Sequence, residues 1–314
     1  MMILDAKDTA AALPWLALVE ALREGFISGC AAPTRHHHEF AIPGEAAGTL
    51  LLMPAWIEGE FLGVKQVLVI PENAKRGLSA VSASYQLSSA ITGELLAIID
   101  GAVLTHRRTA AASALASSYL SRADSKHLLM LGSGGLAPNL IEAHCAVRPI
   151  STVSIWGRNV ENSEKLAQQM RRNGLCVNVV IDLQSASQHA DIISSATLSE
   201  EPLIYGDWIE PGTHVDLVGA FKPSMRESDD ELIQKASVFV DTTDGALQEG
   251  GDIIQAIQSG AFSADDIQSN LYALTRGEHQ GRCSDEEITV FKSVGTALED
   301  LAAAVLGYSS HTSQ

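Results

Sequence analysis

Leu128-Leu129-Met130-Leu131-Gly132-Ser133-Gly134-Gly135-Leu136-Ala137 joins four apolar residues to a Gly-x-Gly-x-x-Ala turn, and an amphipathic run (Leu140, Ile141, Ala143, Ala146, Val147) follows at once. The order is strand, tight turn, helix. Gly132 permits the sharp turn, Gly134 lets backbone approach a pyrophosphate, and the small Ala137 lets the helix pack close to the strand. Amide N–H groups at the helix start then face the phosphates. Gly132, Ser133, Gly134, Gly135 and Leu136 are therefore candidate dinucleotide contacts. Such turns also occur without a nucleotide, so the surrounding pattern has to arbitrate.

Apolar runs continue downstream at βαβ spacing: 152–156, 177–181, 190–197, 214–220 and 238–241, with helical segments between them. The economical fold is α/β, a Rossmann-type parallel sheet covered on both faces. Ligands of such sheets bind beyond the carboxyl ends of the strands, which nominates Thr197 and the Val218-Gly219 turn. An NAD-preferring site carries an acid about 20 residues past the glycines. Here the second strand exits into Arg158 and Asn159. A guanidinium suits a 2′-phosphate, so NADP(H) is expected over NAD(H).

A length of 314 residues predicts two domains on a prior of ~150 residues each. With 46% hydrophobic and 19% charged residues the composition is globular. The net charge of −17 argues against a nucleic-acid or anionic-membrane surface, although a few local cations can still dominate an anion pocket. There is no apolar run long enough to cross a membrane and no leader-like start, so a cytoplasmic location is expected. Cys30, Cys145, Cys176 and Cys283 lie far apart, which reads as free buried thiols.

The first 30 residues carry a helical pattern through Leu13, Leu16, Val19, Leu22 and Phe26. Pro33-Thr34-Arg35 leads into His36-His37-His38. Adjacent residues of an extended chain alternate faces, so these histidines do not converge on one ion, and no metal is expected. Strand patterns follow at 49–54, 61–71 and 95–101. Lys65 interrupts an apolar strand, so it either snorkels from a sheet edge or has an anionic partner. A helix rich in small residues then opens near Leu104, with Arg107 and Arg108 read in its first turn. The macrodipole disfavours cations there unless an anion joins them.

The run 287–295 has no obvious place in the nucleotide sheet and is expected to return to the first domain with the final helix, 296–306. The domains are therefore expected at 1–115, completed by 285–314, and at 116–284. The first would be a smaller α+β substrate-binding and dimerisation domain.

In this order the motifs Pro33-Thr34-Arg35, Met53-Pro54, Gly63-Val64-Lys65, Arg107-Arg108-Thr109, Gly132-Ser133-Gly134, Trp156-Gly157-Arg158-Asn159, Val218-Gly219-Ala220 and Lys292-Ser293-Val294-Gly295 resemble the ornithine cyclodeaminase/mu-crystallin family over nearly the whole chain. The resemblance implies a homodimer, with an N-terminal domain completed by the C-terminal helix. It implies that Arg35, Lys65 and Arg108 hold a substrate carboxylate near the nicotinamide. It further implies that Ser293, Val294 and Gly295 fold over the nicotinamide end.

Two departures bear on the reaction. Members that cyclise ornithine carry an aspartate where this chain has Phe221, and tend to carry a glutamate where it has Leu51. Without them a side-chain ammonium lacks a partner. The Gly-Ala-Phe-Lys-Pro run is more similar to the ketimine reductases of the family. The resemblance thus implies NADPH-dependent reduction of Δ1-pyrroline-2-carboxylate or Δ1-piperideine-2-carboxylate, with Met53 and Phe221 against the ring methylenes. Ornithine cyclodeamination, an alanine dehydrogenase-like activity and nucleotide binding without turnover stay open as alternatives.

Overall fold

The computed structural model describes every residue except Asn173, Ser313 and Gln314; the last two close the polar tail. The chain divides into two compact units, Met1–Thr109 with Thr296–Gln314, and Ala110–Gly295. The divisions fall at 109/110 and 295/296, where the sequence reading set them at 115/116 and 284/285.

The first unit holds a six-stranded sheet. Its strands are β1 (Met2–Leu4), β2 (His36–Phe40), β3 (Gly48–Trp56), β4 (Phe61–Val69), β5 (Val81–Ser89) and β6 (Leu95–Asp100), in the order β1-β6-β5-β4-β3-β2. All pairs are antiparallel except β1 with β6. Side chains alternate across a strand, so Leu51, Met53 and Ala55 of β3 share one face with Gly63, Lys65 and Val67 of β4. The helices Trp15–Ser28 and Ala297–Thr312 pack on one another, and the latter packs on β3 and β4. The histidine run forms the edge strand β2, exposed throughout.

The helix carrying Arg107 and Arg108 spans Gly101–Leu120, which corrects the expected start near Leu104. Asp100 Oδ1 accepts from the Val103 N–H at 2.8 Å, an N-cap that the sequence reading missed. A Cβ on Gly101 would come within 2.6 Å of the β5 backbone, so only glycine lets the helix begin there. Both arginines therefore lie beyond the first turn, and the expected conflict with the macrodipole does not arise.

The second unit is a Rossmann-type α/β domain. Its strands are β7 (His127–Leu131), β8 (Thr152–Trp156), β9 (Cys176–Val179), β10 (Ile192–Ser195), β11 (His214–Leu217), β12 (Ser237–Val240), β13 (Ser269–Asn270) and β14 (Thr289–Lys292). They pair in parallel in the order β13-β12-β14-β11-β10-β7-β8-β9. Leu129, Ile193, Val215 and Val290 build its core. The expectation that 285–295 leaves this sheet is overturned: β14 lies between β11 and β12, all four of its residues buried. Val290 and Phe291 point to opposite faces, so the strand needs cover on both sides, which a central position supplies.

No described helix is long and apolar enough to cross a membrane. All four cysteines are free, but none is fully buried: Cys30 and Cys145 are half-buried, and Cys176 and Cys283 are exposed.

Candidate active site

The first unit brings Lys65, Arg108 and Arg35 into one electrostatic cluster. Lys65 lies in the sheet interior, 2% exposed, directly across from Met53 in the ladder. That position removes the snorkelling reading. Its partner is a carboxylate of the chain: Nζ stands 2.9 Å from Asp300 Oδ1 and 2.7 Å from Oδ2. The same Asp300 accepts from Arg108 Nε at 2.9 Å, and Glu299 Oε2 accepts from Arg108 Nη1 at 2.7 Å. Two adjacent residues of the C-terminal helix thus neutralise two buried cations. The anionic partner that the sequence left open for Lys65 is Asp300, while positions 51 and 221 carry no carboxylate.

Burial pushes the Lys65 ammonium down to about 8; Asp300 opposes the shift, while Arg108 and Arg35 reinforce it. Arg108 is held above its ordinary value, because Asp300 and Glu299 outweigh its burial. An ammonium has three N–H donors and a guanidinium five, so these pairings leave donors for a further anion. Arg107 instead stacks over the Trp15 ring at 4.2 Å. Leu51 lies on the Lys65 face of the sheet, opposite Val67.

The second unit holds a cleft of about 280 Å³. It is lined by Gly132, Ser133, Gly134, Arg158, Asn159 and Thr197, among others. Gly132 has φ +102°, and a Cβ on it would stand 2.7 Å from the Ala196 carbonyl oxygen, so the turn requires glycine. Gly134 differs: a Cβ there would meet nothing within 4 Å. Neither packing nor a positive φ demands that glycine, and it opens a cradle against backbone amides of the kind that a pyrophosphate fills. The residues therefore fit a dinucleotide.

Arg158 is exposed at the end of β8. The Asn159 side chain caps the helix Val160–Met170, accepting from the Asn162 N–H at 3.1 Å. Gly135 and Leu136 precede the helix Ala137–Val147 rather than lining the cleft. Val218 and Gly219 follow β11, and Ser293, Val294 and Gly295 follow β14. Phe221, in the turn beyond Gly219, is 43% exposed.

Behind these turns lie buried charges that the sequence reading passed over. Glu227 accepts from Gly219 N–H and from the backbone and hydroxyl of Thr197, while Asp241 Oδ2 accepts from Val294 and Gly295 N–H at 2.8 and 2.6 Å. Lys292 pairs with Asp252 at 3.1 Å. Asp241 and Lys292 stand at the ends of apolar strands, a signal that the sequence carries, whereas Glu227 lies in a polar run far from any strand and Asp252 in the first turn of a helix. Among the described residues no group of three or more His, Cys, Asp or Glu is placed to hold a metal.

The family model for ornithine cyclodeaminase/mu-crystallin matches residues 1–314. A Paracoccus denitrificans Delta(1)-pyrroline-2-carboxylate reductase is 40% identical over 302 residues, covering 96% of this chain and 94% of that protein. The Thermococcus litoralis Delta(1)-pyrroline-2-carboxylate reductase, solved with NADH and L-proline, superposes with a TM-score of 0.91 at 34% identity, covering 100% of this chain and 98% of that one. An archaeal alanine dehydrogenase dimer with bound NAD reaches the same TM-score of 0.91 at 30% identity, covering 100% and 96%.

Proposed function

The chain belongs to the ornithine cyclodeaminase/mu-crystallin family, and we propose that it uses NADPH to reduce cyclic imino acids of the Δ1-pyrroline-2-carboxylate and Δ1-piperideine-2-carboxylate class to L-proline and L-pipecolate. At the coarser level it is a nicotinamide-dependent oxidoreductase acting on a C=N bond. The observation that carries the finer reading is the buried Lys65 and Arg108 pair, held side by side by Asp300 while keeping donors to spare.

In this reading Arg35, Lys65 and Arg108 bind the substrate carboxylate, and Asp300 and Glu299 keep the two buried cations from repelling one another before it arrives. Met53, across the ladder from Lys65, is assigned to the ring methylenes, and Phe221 is assigned as a further apolar substrate contact. Gly132, Ser133 and Gly134 orient the coenzyme, with Thr197, Val218, Gly219 and the Ser293-Val294-Gly295 turn toward its nicotinamide end. The bound coenzyme supplies the hydride; the protein's part is anchoring, face selection and exclusion of water. Arg158 favours NADPH through its 2′-phosphate.

Leu51 on the Lys65 face and Phe221 supply no carboxylate for a side-chain ammonium, and the carboxylates that are present are engaged with cations. Both points weigh against ornithine cyclodeamination. A homodimer is part of the proposal. The similar alanine dehydrogenase is a dimer, and Leu50, Leu52, Leu62, Val64 and Leu68 leave one face of the six-stranded sheet only partly covered. Sedimentation of the purified chain at twice the monomer mass is the expected result.

The test follows NADPH and NADH oxidation with each cyclic imine, beside pyruvate plus ammonia and beside ammonia release from L-ornithine. Imine reduction with NADPH preferred supports the reading. Faster turnover of pyruvate with ammonia makes the chain an alanine dehydrogenase, ornithine turnover makes it a cyclodeaminase, and coenzyme binding without any turnover makes it a binding protein.

A further inference from the structure

Glu227 is a fully buried carboxylate with no part in substrate anchoring, yet it collects more hydrogen bonds than any apolar-core role requires. Oε1 accepts from Ser195 Oγ at 2.6 Å and from the backbone N–H and hydroxyl of Thr197 at 2.7 Å each. Oε2 accepts from the Gly219 N–H at 2.6 Å. One side chain thereby ties the turn after β10 to the turn after β11. The two turns are so close that a Cβ on Gly219 would stand 2.1 Å from the Thr197 carbonyl oxygen.

The tie is itself braced. Asp252 Oδ1 accepts from the Glu227 and Ser228 N–H groups at 2.8 and 2.9 Å, and Lys292, at the end of β14, pairs with Asp252. Three fully buried ionisable groups are a costly way to hold parallel strands that already share a ladder. What the ladder cannot hold is the backbone beyond the strand ends, and that is where the donors to Glu227 lie.

The strand order says what those turns face. Arg158 follows β8 and the glycine turn follows β7, so the adenosine half belongs over β8 and the pyrophosphate over β7. A coenzyme continuing along the carboxyl edge reaches β10 and then β11 with its other half. We propose that Glu227 is a positioning residue for the nicotinamide half of the coenzyme, setting the Thr197 and Gly219 turns at the spacing on which that half rests. The proposal rests on the coenzyme reading above.

The test is Glu227→Gln, which keeps the side-chain volume. An amide offers one acceptor oxygen; with that oxygen toward Thr197 and Ser195, its NH2 faces the Gly219 N–H, donor against donor. Binding of NADPH and of 2′,5′-ADP, which lacks the nicotinamide half, is measured by titration calorimetry on the folded variant and the wild type, with NADH and ADP as the parallel pair. The expected result is about tenfold weaker binding of the whole coenzyme, the loss of one charge-assisted hydrogen bond, with the adenine fragment unchanged within about twofold. Equal affinity of wild type and variant for the whole coenzyme overturns the proposal, and so does equal loss for coenzyme and fragment. Should the glutamine variant fail to fold, Glu227→Asp is read in the same way, since the shorter carboxylate cannot span both turns. A wild-type chain that binds neither NADPH nor NADH overturns the coenzyme reading itself, a separate and recognisable failure.

Discussion

Lys65 and Asp300, 235 residues apart in sequence, meet at 2.9 Å in the buried interior of the first unit, and Arg108 shares the same carboxylate. A lysine that looked like an unsatisfied cation in an apolar strand is thus half of an ion pair whose other half comes from the C-terminal helix. Removing one partner leaves charge buried without compensation, which costs far more than the intact pair contributes. Asp300→Asn is expected to lower the unfolding free energy by about 3 kcal/mol or more. A cycle with Lys65→Met, followed by urea unfolding, should give a coupling of at least about 1 kcal/mol; strictly additive losses would mean the pair does not interact.

Burial brings Lys65 down to about 8, so its positive charge is present below that pH and fades above it. If this ammonium anchors the substrate carboxylate, KM for the imino acid rises above about pH 8 while coenzyme affinity stays level. Lys65→Arg keeps a charge that does not titrate in this range, and its KM should stay flat where the wild type climbs. Parallel profiles for the two proteins would remove Lys65 from the anchor.

Gly132 and Gly134 separate a conformational from a functional requirement. Gly132→Ala places a side chain at φ +102° and 2.7 Å from Ala196 O, which should cost about 1–3 kcal/mol in thermal unfolding. Gly134→Ala meets nothing, so stability should hold within about 0.5 kcal/mol while NADPH binding falls sharply. Unaltered NADPH affinity in the second variant would move the pyrophosphate elsewhere.

Arg158 stands exposed at the rim of the cleft. Arg158→Ala should raise KM for NADPH by about tenfold or more, the scale of one charge-assisted contact, and leave NADH nearly unchanged. Equal losses with both coenzymes would show that the guanidinium does not read the 2′-phosphate.

Burial, reinforced by His144, Arg282 and Arg148, holds the His214 imidazole well below its usual range. The unfolded chain takes up a proton at this histidine as the pH falls below about 6.5, and the folded chain does not. Stability therefore declines with acid in that window, because the unfolded state binds more protons. The urea midpoint should drop more steeply between pH 7 and 5 for the wild type than for His214→Gln; identical slopes would refute the assignment.

The sequence by itself determined what local pattern encodes. Four apolar residues before Gly132 required a strand and a sharp turn, the apolar run that Lys65 interrupts required a further strand, and repeated apolar runs at βαβ spacing required a parallel sheet. Lys65 was also legible, because it interrupts an apolar strand, whereas Arg35 and the choice of Arg108 over Arg107 rested on the family resemblance. Tertiary structure alone decided their partners. Asp300 and Glu299 read as ordinary acids near the start of a helix until folding carries that helix onto β3 and β4. Likewise Thr289–Lys292, too short to declare its sheet, takes a central place only because a gap between β11 and β12 can bury both its faces. Glu227 is the clearest case: its donors belong to two other turns, and a hydrogen bond across space leaves no periodicity in the chain.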